Sequence, residues 1–175
     1  MKATGVVRRI DDLGRIVIPK EIRKTLRIKD GEYLQIFLDS ENIVLQKYSP
    51  MVGLPAFYKD YVDSVYSEIG GNIIIADREK IVAIAGSLKK KYLEQNISKD
   101  LDDIIQKREV VSSVDKDFVN IIQNEETEGS YVIAPIISNG DAIGVVIILF
   151  TDSNIDDFII KTGTIAAKFL GKYIE

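Results

Sequence analysis

The first part of the chain alternates short apolar runs with turn residues and contains one short helical stretch. Residues 4–10 and 15–18 are rich in β-branched side chains and flank a turn-like sequence at 11–14. Pro19 ends the second run and suits the first turn of a helix, because its missing N–H would have no partner there. The pattern predicts strands at 4–10 and 15–18, a helix at 20–27, a turn at 30–31, and a hairpin of strands 33–38 and 43–48.

The rest of the chain has longer apolar runs and two long amphipathic stretches. Asn139-Gly140 separates two of the apolar runs and predicts a tight hairpin turn. Apolar residues at helical spacing predict a helix near each end of this region. The predicted order is helix 56–69, strands 72–76 and 80–85, a helical region at 89–107, strands 110–114, 130–138 and 142–150, and helix 155–173.

A break between the two patterns lies at residues 49–55, where two prolines and a glycine interrupt every periodicity. The sequence therefore predicts a domain at 1–50, a linker at 51–55 and a second domain at 56–175. Each domain needs its own apolar core, and the first is small for that purpose.

Positive charge is concentrated in the first 29 residues, although the chain of 175 residues has a net charge of −4. In this segment nine Lys or Arg stand against three Asp or Glu, a balance of +6, so residues 30–175 carry −10. A basic patch on an acidic protein favours nucleic acid as a partner. The nine basic residues are Lys2, Arg8, Arg9, Arg15, Lys20, Arg23, Lys24, Arg27 and Lys29.

Four of these cations form one stripe on the predicted helix. Lys20, Arg23, Lys24 and Arg27 are spaced i, i+3, i+4 and i+7, and such like charges repel each other unless phosphate groups neutralise them. The alternative is a solvated helix face that binds nothing. The other arginines of the segment favour the nucleic-acid interpretation.

Arg8 and Arg9 are neighbours on a predicted strand, so their side chains are expected on opposite faces. Only one of them would then share a surface with Arg15 and the helix stripe. The alternation of apolar residues does not decide which one.

Cys and His are both absent from the chain. Their absence removes disulfides, a thiolate nucleophile, the usual general base and the common zinc ligands. We therefore expect a protein that is not an enzyme and that holds no metal and no cofactor.

Nothing in the sequence predicts export or membrane insertion. After Met1-Lys2 the chain reaches Arg8-Arg9 before any apolar stretch of useful length, unlike a signal peptide. The longest apolar run, 142–150, contains Gly144 and is far shorter than the ~20 residues that a membrane helix needs. We expect a cytoplasmic protein.

The first domain has more apolar residues than about 48 residues with short strands and one helix can enclose. Dimerisation, with strands of two chains sharing one core, would cover them. The residues that need cover are Val6, Val7, Ile10, Leu13, Ile16, Val17, Ile18, Leu34, Ile36, Phe37, Leu38, Ile43, Val44 and Leu45.

Residues 5–37, and above all the pattern D-x-L-G-R-x-x-I-P-K-E-x-R at 11–23, resemble the swapped-hairpin DNA-binding domain of AbrB-type transcriptional regulators of Gram-positive bacteria. The resemblance covers residues 1–50 densely. It implies a β-rich interlaced barrel, formed by a dimer, that presents arginines to the major groove of double-stranded DNA.

The same resemblance implies a set of DNA-contacting residues. The arginines of the family pattern fall on Arg8, Arg15 and Arg23. The next position, usually an arginine, is Lys24, and lysine offers a point charge in place of a planar fork. Arg9 and Lys20 are expected to be auxiliary phosphate contacts.

Residues 56–175 resemble a GAF-type sensory domain in the order of their elements, which implies an α+β fold. With neither Cys nor His, a thioether-linked bilin and the usual haem ligand are excluded, and any ligand is unknown. The alternative is a GAF fold that only mediates assembly. In that case five aromatic residues are packing residues: Tyr58, Tyr61, Tyr66, Phe158 and Phe169.

The apolar positions of helix 155–173 occupy more than one face, with Ile160 and Ala167 away from the main stripe. We therefore expect the terminal helices to meet their copies in another subunit and to form a tetramer of the dimeric heads. The alternative is that the same interface forms within one dimer and only locks it.

Together the two resemblances imply a sequence-selective DNA-binding regulator of sporulation-type gene expression, modulated at the GAF-like domain by a small molecule or by assembly. The alternative is an antitoxin-like interaction module that uses the same swapped-hairpin fold. Antitoxin tails are usually short and disordered, whereas residues 56–175 have the pattern of a folded domain.

Overall fold

The computed structural model describes residues 5–26, 28, 32–51 and 53–174. The chain divides into two compact units, Met1–Tyr48 and Ser49–Glu175. Its elements are α1 (Lys20–Thr25), β1 (Leu34–Asp39), β2 (Asn42–Lys47), α2 (Pro55–Ile69), β3 (Asn72–Asp77), β4 (Ile81–Ala85), α3 (Lys89–Tyr92), α4 (Lys99–Lys107), β5 (Val111–Val119), β6 (Thr127–Ser138), β7 (Asp141–Phe150) and α5 (Asp157–Tyr173).

The first unit contains the predicted hairpin. Strands β1 and β2 pair antiparallel, with Leu34 opposite Lys47 and Asp39 opposite Asn42. Ser40 takes the left-handed conformation at the tight turn, with φ of 54°. Both faces of this two-stranded sheet are mostly exposed, so the hairpin does not enclose a core by itself.

Helix α1 begins after Pro19, which is buried and serves as its N-cap, and it ends at Thr25. None of its residues is fully buried. The predicted helix ran to Arg27, and both Arg27 and the predicted turn at 30–31 lie outside the described residues, as do Lys2 and Lys29.

The two strands predicted before α1 are wrong for the part of the chain that the structure describes. Residues 5–10 and 15–18 are not strands there, and only the turn between them forms as expected. A strand needs a neighbouring strand for its N–H and C=O groups, and among the described residues no strand pairs with either segment.

The second unit is built on a five-stranded antiparallel sheet with the strand order β4-β3-β7-β6-β5. Its central strands are buried on both faces, and every residue of β3 is buried. A continuous apolar run is what a strand covered on both sides requires. The predicted α+β fold of this region is therefore confirmed.

Side chains alternate between two apolar layers, one on each face of the sheet. On one face, Ile73 and Ile75 of β3 pack with α2 and α5, and Met51, in the predicted linker, is buried in the same layer. On the other face, Ile74 packs with residues of α3 and α4, including Tyr92 and Leu101.

Helix α5 lies close to the sheet because its inner side is lined by small residues. Gly163 faces Val132 of β6, and Gly171 faces the backbone of Ile137. Ala167 is buried on this inner side, and Ile160 packs against the same core. Ile160 and Ala167, which lie away from the main apolar stripe, therefore face the sheet, and the exposed apolar side chains of α5 belong to the stripe itself.

Substitution of Gly171 by alanine tests this close approach. A Cβ there would collide with the carbonyl oxygen of Ile137, and since that atom belongs to the backbone, the helix must move. We expect Gly171→Ala to lower the free energy of unfolding by about 1–3 kcal/mol, the usual cost of overpacking. Urea denaturation of the full chain, followed by far-UV circular dichroism, measures the change.

The matched control is Lys172→Ala, the exposed neighbour on the same helix. Its free energy of unfolding should stay within about 0.5 kcal/mol of the unaltered chain. Equal stability of the Gly171→Ala and Lys172→Ala variants would contradict the close packing of α5 on β6.

Candidate nucleic-acid interface

A tight turn at 11–15 presents Arg15, one of the basic side chains of the candidate interface. The N–H of Gly14 donates to the carbonyl of Asp11 at 3.0 Å, and the N–H of Asp11 donates to the carbonyl of Arg15 at 3.1 Å. Gly14 has φ of 76°, a left-handed conformation that favours glycine. The turn places Arg15 directly after the glycine.

The carboxylate of Asp11 connects this turn to the side chain of Arg15. Its Oδ1 accepts from the backbone N–H of Leu13 at 3.1 Å and of Arg15 at 2.8 Å. Its Oδ2 accepts from Nε of Arg15 at 2.7 Å, which also forms an ion pair. The Asp11 carboxylate therefore binds both the backbone of the turn and the Nε of Arg15.

Arg15 stays open to solvent despite this contact. Its side chain is 72% exposed. Asp11 contacts Nε, so the two Nη groups of the guanidinium take no part in that hydrogen bond. Two parallel N–H donors in one plane can form a bidentate contact with the edge of a guanine base or with a phosphate group.

The remaining predicted site residues differ in exposure. Arg8, Arg9, Lys20 and Lys24 are exposed, whereas Arg23 is half-buried. The predicted stripe on α1 is therefore not uniform, since Arg23 lies deeper than the two lysines. Arg8 and Arg9 are outside any strand, so the expectation that they alternate between two faces no longer applies.

Sequence reasoning missed the part that Asp11 has in the site. Asp11 was assigned to the turn and counted as a negative charge, and its contact with Arg15 was not foreseen. The signal was present: an Asp at the start of a turn commonly accepts from the backbone two residues later, and Arg15 follows at i+4.

The same unit exposes large apolar side chains beside the basic residues. Val7, Leu13, Val17 and Leu38 are each more than two-thirds exposed. Monomeric proteins rarely leave so many large apolar side chains in water within one small unit.

The charge state of Asp11 follows from its hydrogen bonds. The backbone N–H of Arg15, then the Arg15 side chain, and finally the N–H of Leu13 lower the pKa of Asp11 below its ordinary value. A carboxylate with a lowered pKa adds stability that is present above its unfolded value of about 4 and lost as the pH falls through its folded value. At neutral pH the contact with Arg15 is fully charged.

We expect an NMR titration of the Asp11 carboxyl carbon to give a midpoint below the ordinary aspartate value. Arg15→Ala should raise this midpoint, because the side-chain hydrogen bond is lost while the backbone N–H of residue 15 remains. Lys24→Ala is the control and should leave the midpoint unchanged. A midpoint that does not respond to Arg15→Ala would show that the ion pair is absent in solution.

The described residues contain no group of three or more His, Cys, Asp or Glu side chains that could hold a metal ion. Among the helices in the described part of the chain, none is long and apolar enough to cross a bilayer.

Known proteins resemble the first unit. A family model described as antidote-toxin recognition MazE, bacterial antitoxin, matches residues 7–52. The transition state regulatory protein AbrB of Bacillus subtilis (strain 168) is 54% identical over 50 residues, which are 29% of this chain and 52% of that protein. The predicted AbrB-type resemblance of the N-terminal region is confirmed.

Solved structures that resemble the chain include GAF domains. The blue-light absorbing form of the Thermosynechococcus elongatus PixJ GAF domain has a TM-score of 0.55 at 11% identity, covering 72% of this chain and 87% of that one. The GAF domain of CodY from Clostridium difficile has a TM-score of 0.50 at 12% identity, covering 89% and 94%. At such low identity these likenesses establish the GAF fold alone.

A relative also matches the whole chain. Stage V sporulation protein T of Bacillus subtilis (strain 168) is 44% identical over 177 aligned residues, covering 100% of this chain and 99% of that protein. A family model described as the stage V sporulation protein T C-terminal, transcription factor, matches residues 53–175. With an AbrB-like first unit, a GAF fold in the second and this match along its whole length, the chain belongs to the stage V sporulation protein T family of transcription factors.

Proposed function

We propose that the chain regulates sporulation genes in the cytoplasm by binding double-stranded DNA selectively through residues 1–50. The observation that carries the proposal is the Arg15 guanidinium, which Asp11 holds at Nε while the side chain stays 72% exposed. A preorganised planar fork on a basic surface suits base recognition in a major groove.

The candidate contacts differ in their chemistry. Arg8, Arg15 and Arg23 are proposed to contact bases or phosphates, since a guanidinium can bind two acceptors at once. Lys24 is proposed to contact phosphate as a point charge. Exposed basic residues next to these in sequence, Arg9 and Lys20, are proposed as auxiliary phosphate contacts.

DNA affinity should depend strongly on salt. With about four phosphate contacts per subunit and a dimer on the DNA, counterion release gives a slope of log K against log salt of roughly −7. Lys24→Gln should reduce this slope by about one for each copy that contacts DNA and should weaken all sequences alike. Arg15→Ala should cost about 1–3 kcal/mol and relax sequence preference. Fluorescence anisotropy with labelled duplexes over a range of salt concentrations measures both.

The control for this measurement is Lys161→Gln, which removes one exposed cation from α5, outside the N-terminal unit. It should leave the slope unchanged. If Arg15→Ala kept both the affinity and the sequence preference of the unaltered chain, the reading surface would lie elsewhere.

We further propose that the first unit functions as a dimer. Its exposed apolar residues, together with the lack of a strand at 5–10 and 15–18, fit a fold that is completed by strands of a second copy. Burial of one such side chain contributes about 1.5–3 kcal/mol, so a shared core would stabilise the pair strongly.

The second unit is proposed to join dimers into a tetramer through α5. Phe158, Ile165, Phe169 and Tyr173 are all at least 46% exposed and follow one another at helical spacing. Together with the buried inner side, they make about two-thirds of the helix circumference apolar, whereas packing on one sheet needs roughly 100°. Four such helices from two dimers could bury these residues as a bundle.

Helix α2 lies beside α5 and extends this surface. Phe57 stacks on Tyr173 with ring centroids 4.3 Å apart, and Tyr61 stacks on Phe169 at 5.9 Å. Tyr58 is fully buried and is a packing residue, whereas Tyr66, like Phe158, is exposed. The aromatic residues of the two helices thus support assembly more than ligand binding.

Association of the full chain tests the tetramer. Phe158→Asp should convert a tetramer to a dimer in sedimentation velocity at tens of micromolar, because it places a charge in the proposed bundle. Phe158 is a better choice than Phe169 for this test, because Phe169 also stacks on Tyr61 within one chain and its replacement would disturb the packing of that chain. The control Lys168→Asp changes an exposed residue on the charged side of α5 and should remain tetrameric.

Two results would contradict this assembly. An unaltered chain that stays dimeric at these concentrations excludes the tetramer. A Phe158→Asp variant that becomes monomeric excludes the separate dimer of the first units.

The proposed signal at the GAF-like unit is assembly, with small-molecule binding as the other route. On the face away from α2 and α5, the sheet is covered by fully buried side chains of α3 and α4, among them Tyr92, Leu101 and Ile105. A face filled by the chain's own side chains favours assembly.

The second candidate function is the antitoxin-like module, which the match of residues 7–52 to an antitoxin family model favours. The structure of the second unit does not favour the antitoxin-like function, because residues 53–174 form a folded domain with two apolar layers and not a disordered tail. A chain that binds DNA selectively but does not bind a toxin would support the regulator and exclude the antitoxin-like module.

A further inference from the structure

We propose that Asp11 is a positioning residue that determines sequence discrimination by holding Arg15 in its reading orientation. This inference rests on the proposed DNA-binding function of Arg15. Asp11 itself would contact neither base nor phosphate, and its effect would pass through the guanidinium.

The two oxygens of Asp11 have separate tasks. Oδ1 accepts from two backbone N–H groups and fixes the turn, while Oδ2 accepts from Nε of Arg15. The Asp11 carboxylate therefore links the Arg15 side chain to the backbone of the turn that contains it. Removal of the Oδ2 contact alone would leave the turn and release the side chain.

Preorganisation makes this contact relevant to DNA binding. A long arginine side chain loses rotamer freedom when it forms a bidentate contact. An arginine already held at Nε has lost part of that freedom in the unbound protein, and its Nη edge keeps one direction. Such a side chain favours the base that offers two acceptors in that direction over acceptors placed elsewhere.

The charge of Asp11 acts in the opposite sense. A carboxylate within a segment of net charge +6 weakens the attraction of phosphates for every DNA sequence alike. Neutralisation of Asp11 should therefore strengthen nonspecific binding slightly, by charge alone. Loss of its hold on Arg15 should weaken specific binding. The opposite signs of these two effects make the role of Asp11 measurable.

Asp12 provides a matched control. It carries the same charge one residue away, is exposed, and has no hydrogen bond or ion pair among the described residues. Asp12→Asn therefore repeats the change in charge without the change at Arg15. Asn at position 11 can still accept with its Oδ1 from the two N–H groups, but its amide group cannot accept from Nε.

The experiment measures the affinity of the full chain for two DNA probes at one fixed salt concentration. One probe is a duplex that the unaltered chain has selected from a random-sequence pool, and the other is poly(dI-dC). The ratio of the two affinities is the sequence discrimination. The variants are Asp11→Asn, Asp12→Asn, Arg15→Ala and the double variant Asp11→Asn/Arg15→Ala.

We expect Asp11→Asn to lower the discrimination by about three- to tenfold, less than the loss of the Arg15 contact itself. Its affinity for poly(dI-dC) should equal or exceed that of the unaltered chain. Asp12→Asn should raise both affinities alike and keep the ratio within about twofold. In the Arg15→Ala background, Asp11→Asn should not lower the ratio further.

Three outcomes overturn the inference or the function beneath it. A ratio for Asp11→Asn equal to that for Asp12→Asn overturns the positioning role. A further fall of the ratio in the double variant shows that Asp11 does not act through Arg15 and also overturns it. If Arg15→Ala itself keeps full discrimination, the proposed DNA-binding site is wrong.

A measurement on the unaltered chain keeps the inference testable if the Asp11 variants do not fold. The Nε–H of Arg15 should exchange with solvent more slowly than the Nε–H of Arg8 or Arg9, because only Arg15 donates it to a carboxylate among the described residues. Equal exchange rates for the three groups would overturn the positioning role.

Discussion

The small size of the first unit is the constraint on which the proposed DNA-binding surface depends. Its hairpin and short helix leave Val7, Leu13, Val17 and Leu38 largely in water, and residues 5–10 and 15–18 form no strand there. In the proposed dimer, strands of a second copy would cover these side chains and give the unit a core. Arg8, Arg9 and Arg15 lie within these segments, so dimerisation and DNA binding would arise from the same part of the chain.

The second unit meets a different requirement. Its five-stranded sheet is covered on both faces, and α5 approaches the sheet closely because glycine and alanine line its inner side. That packing leaves large apolar residues of α5, such as Phe158 and Ile165, on the outside. The unit is therefore a folded body with two apolar layers that still leaves an apolar surface of α5 exposed.

Much of the fold could be predicted from the sequence because its signals are local. The Asn139-Gly140 turn, the apolar run of β3 and the spacing of α5 each specify an element through neighbouring residues. The strands predicted at 4–10 and 15–18 are wrong for the described residues of a single chain, because strand formation depends on a partner strand, which a local pattern does not reveal. The orientation of α5 could not be predicted either: periodicity shows that two faces of the helix are apolar, but not which of them meets the sheet.

By itself the sequence determined three features: the division into a basic first segment and an acidic remainder, the GAF and AbrB-type resemblances, and the set of basic residues. All three depend only on residue type and spacing. Only the tertiary structure decided which of those residues are held and which are exposed. Arg23 lies deeper than Lys20 and Lys24, and Asp11 binds Nε of Arg15. The reason is physical: hydrogen bonds depend on the distance and direction between atoms, which the turn at 11–15 sets only when it folds.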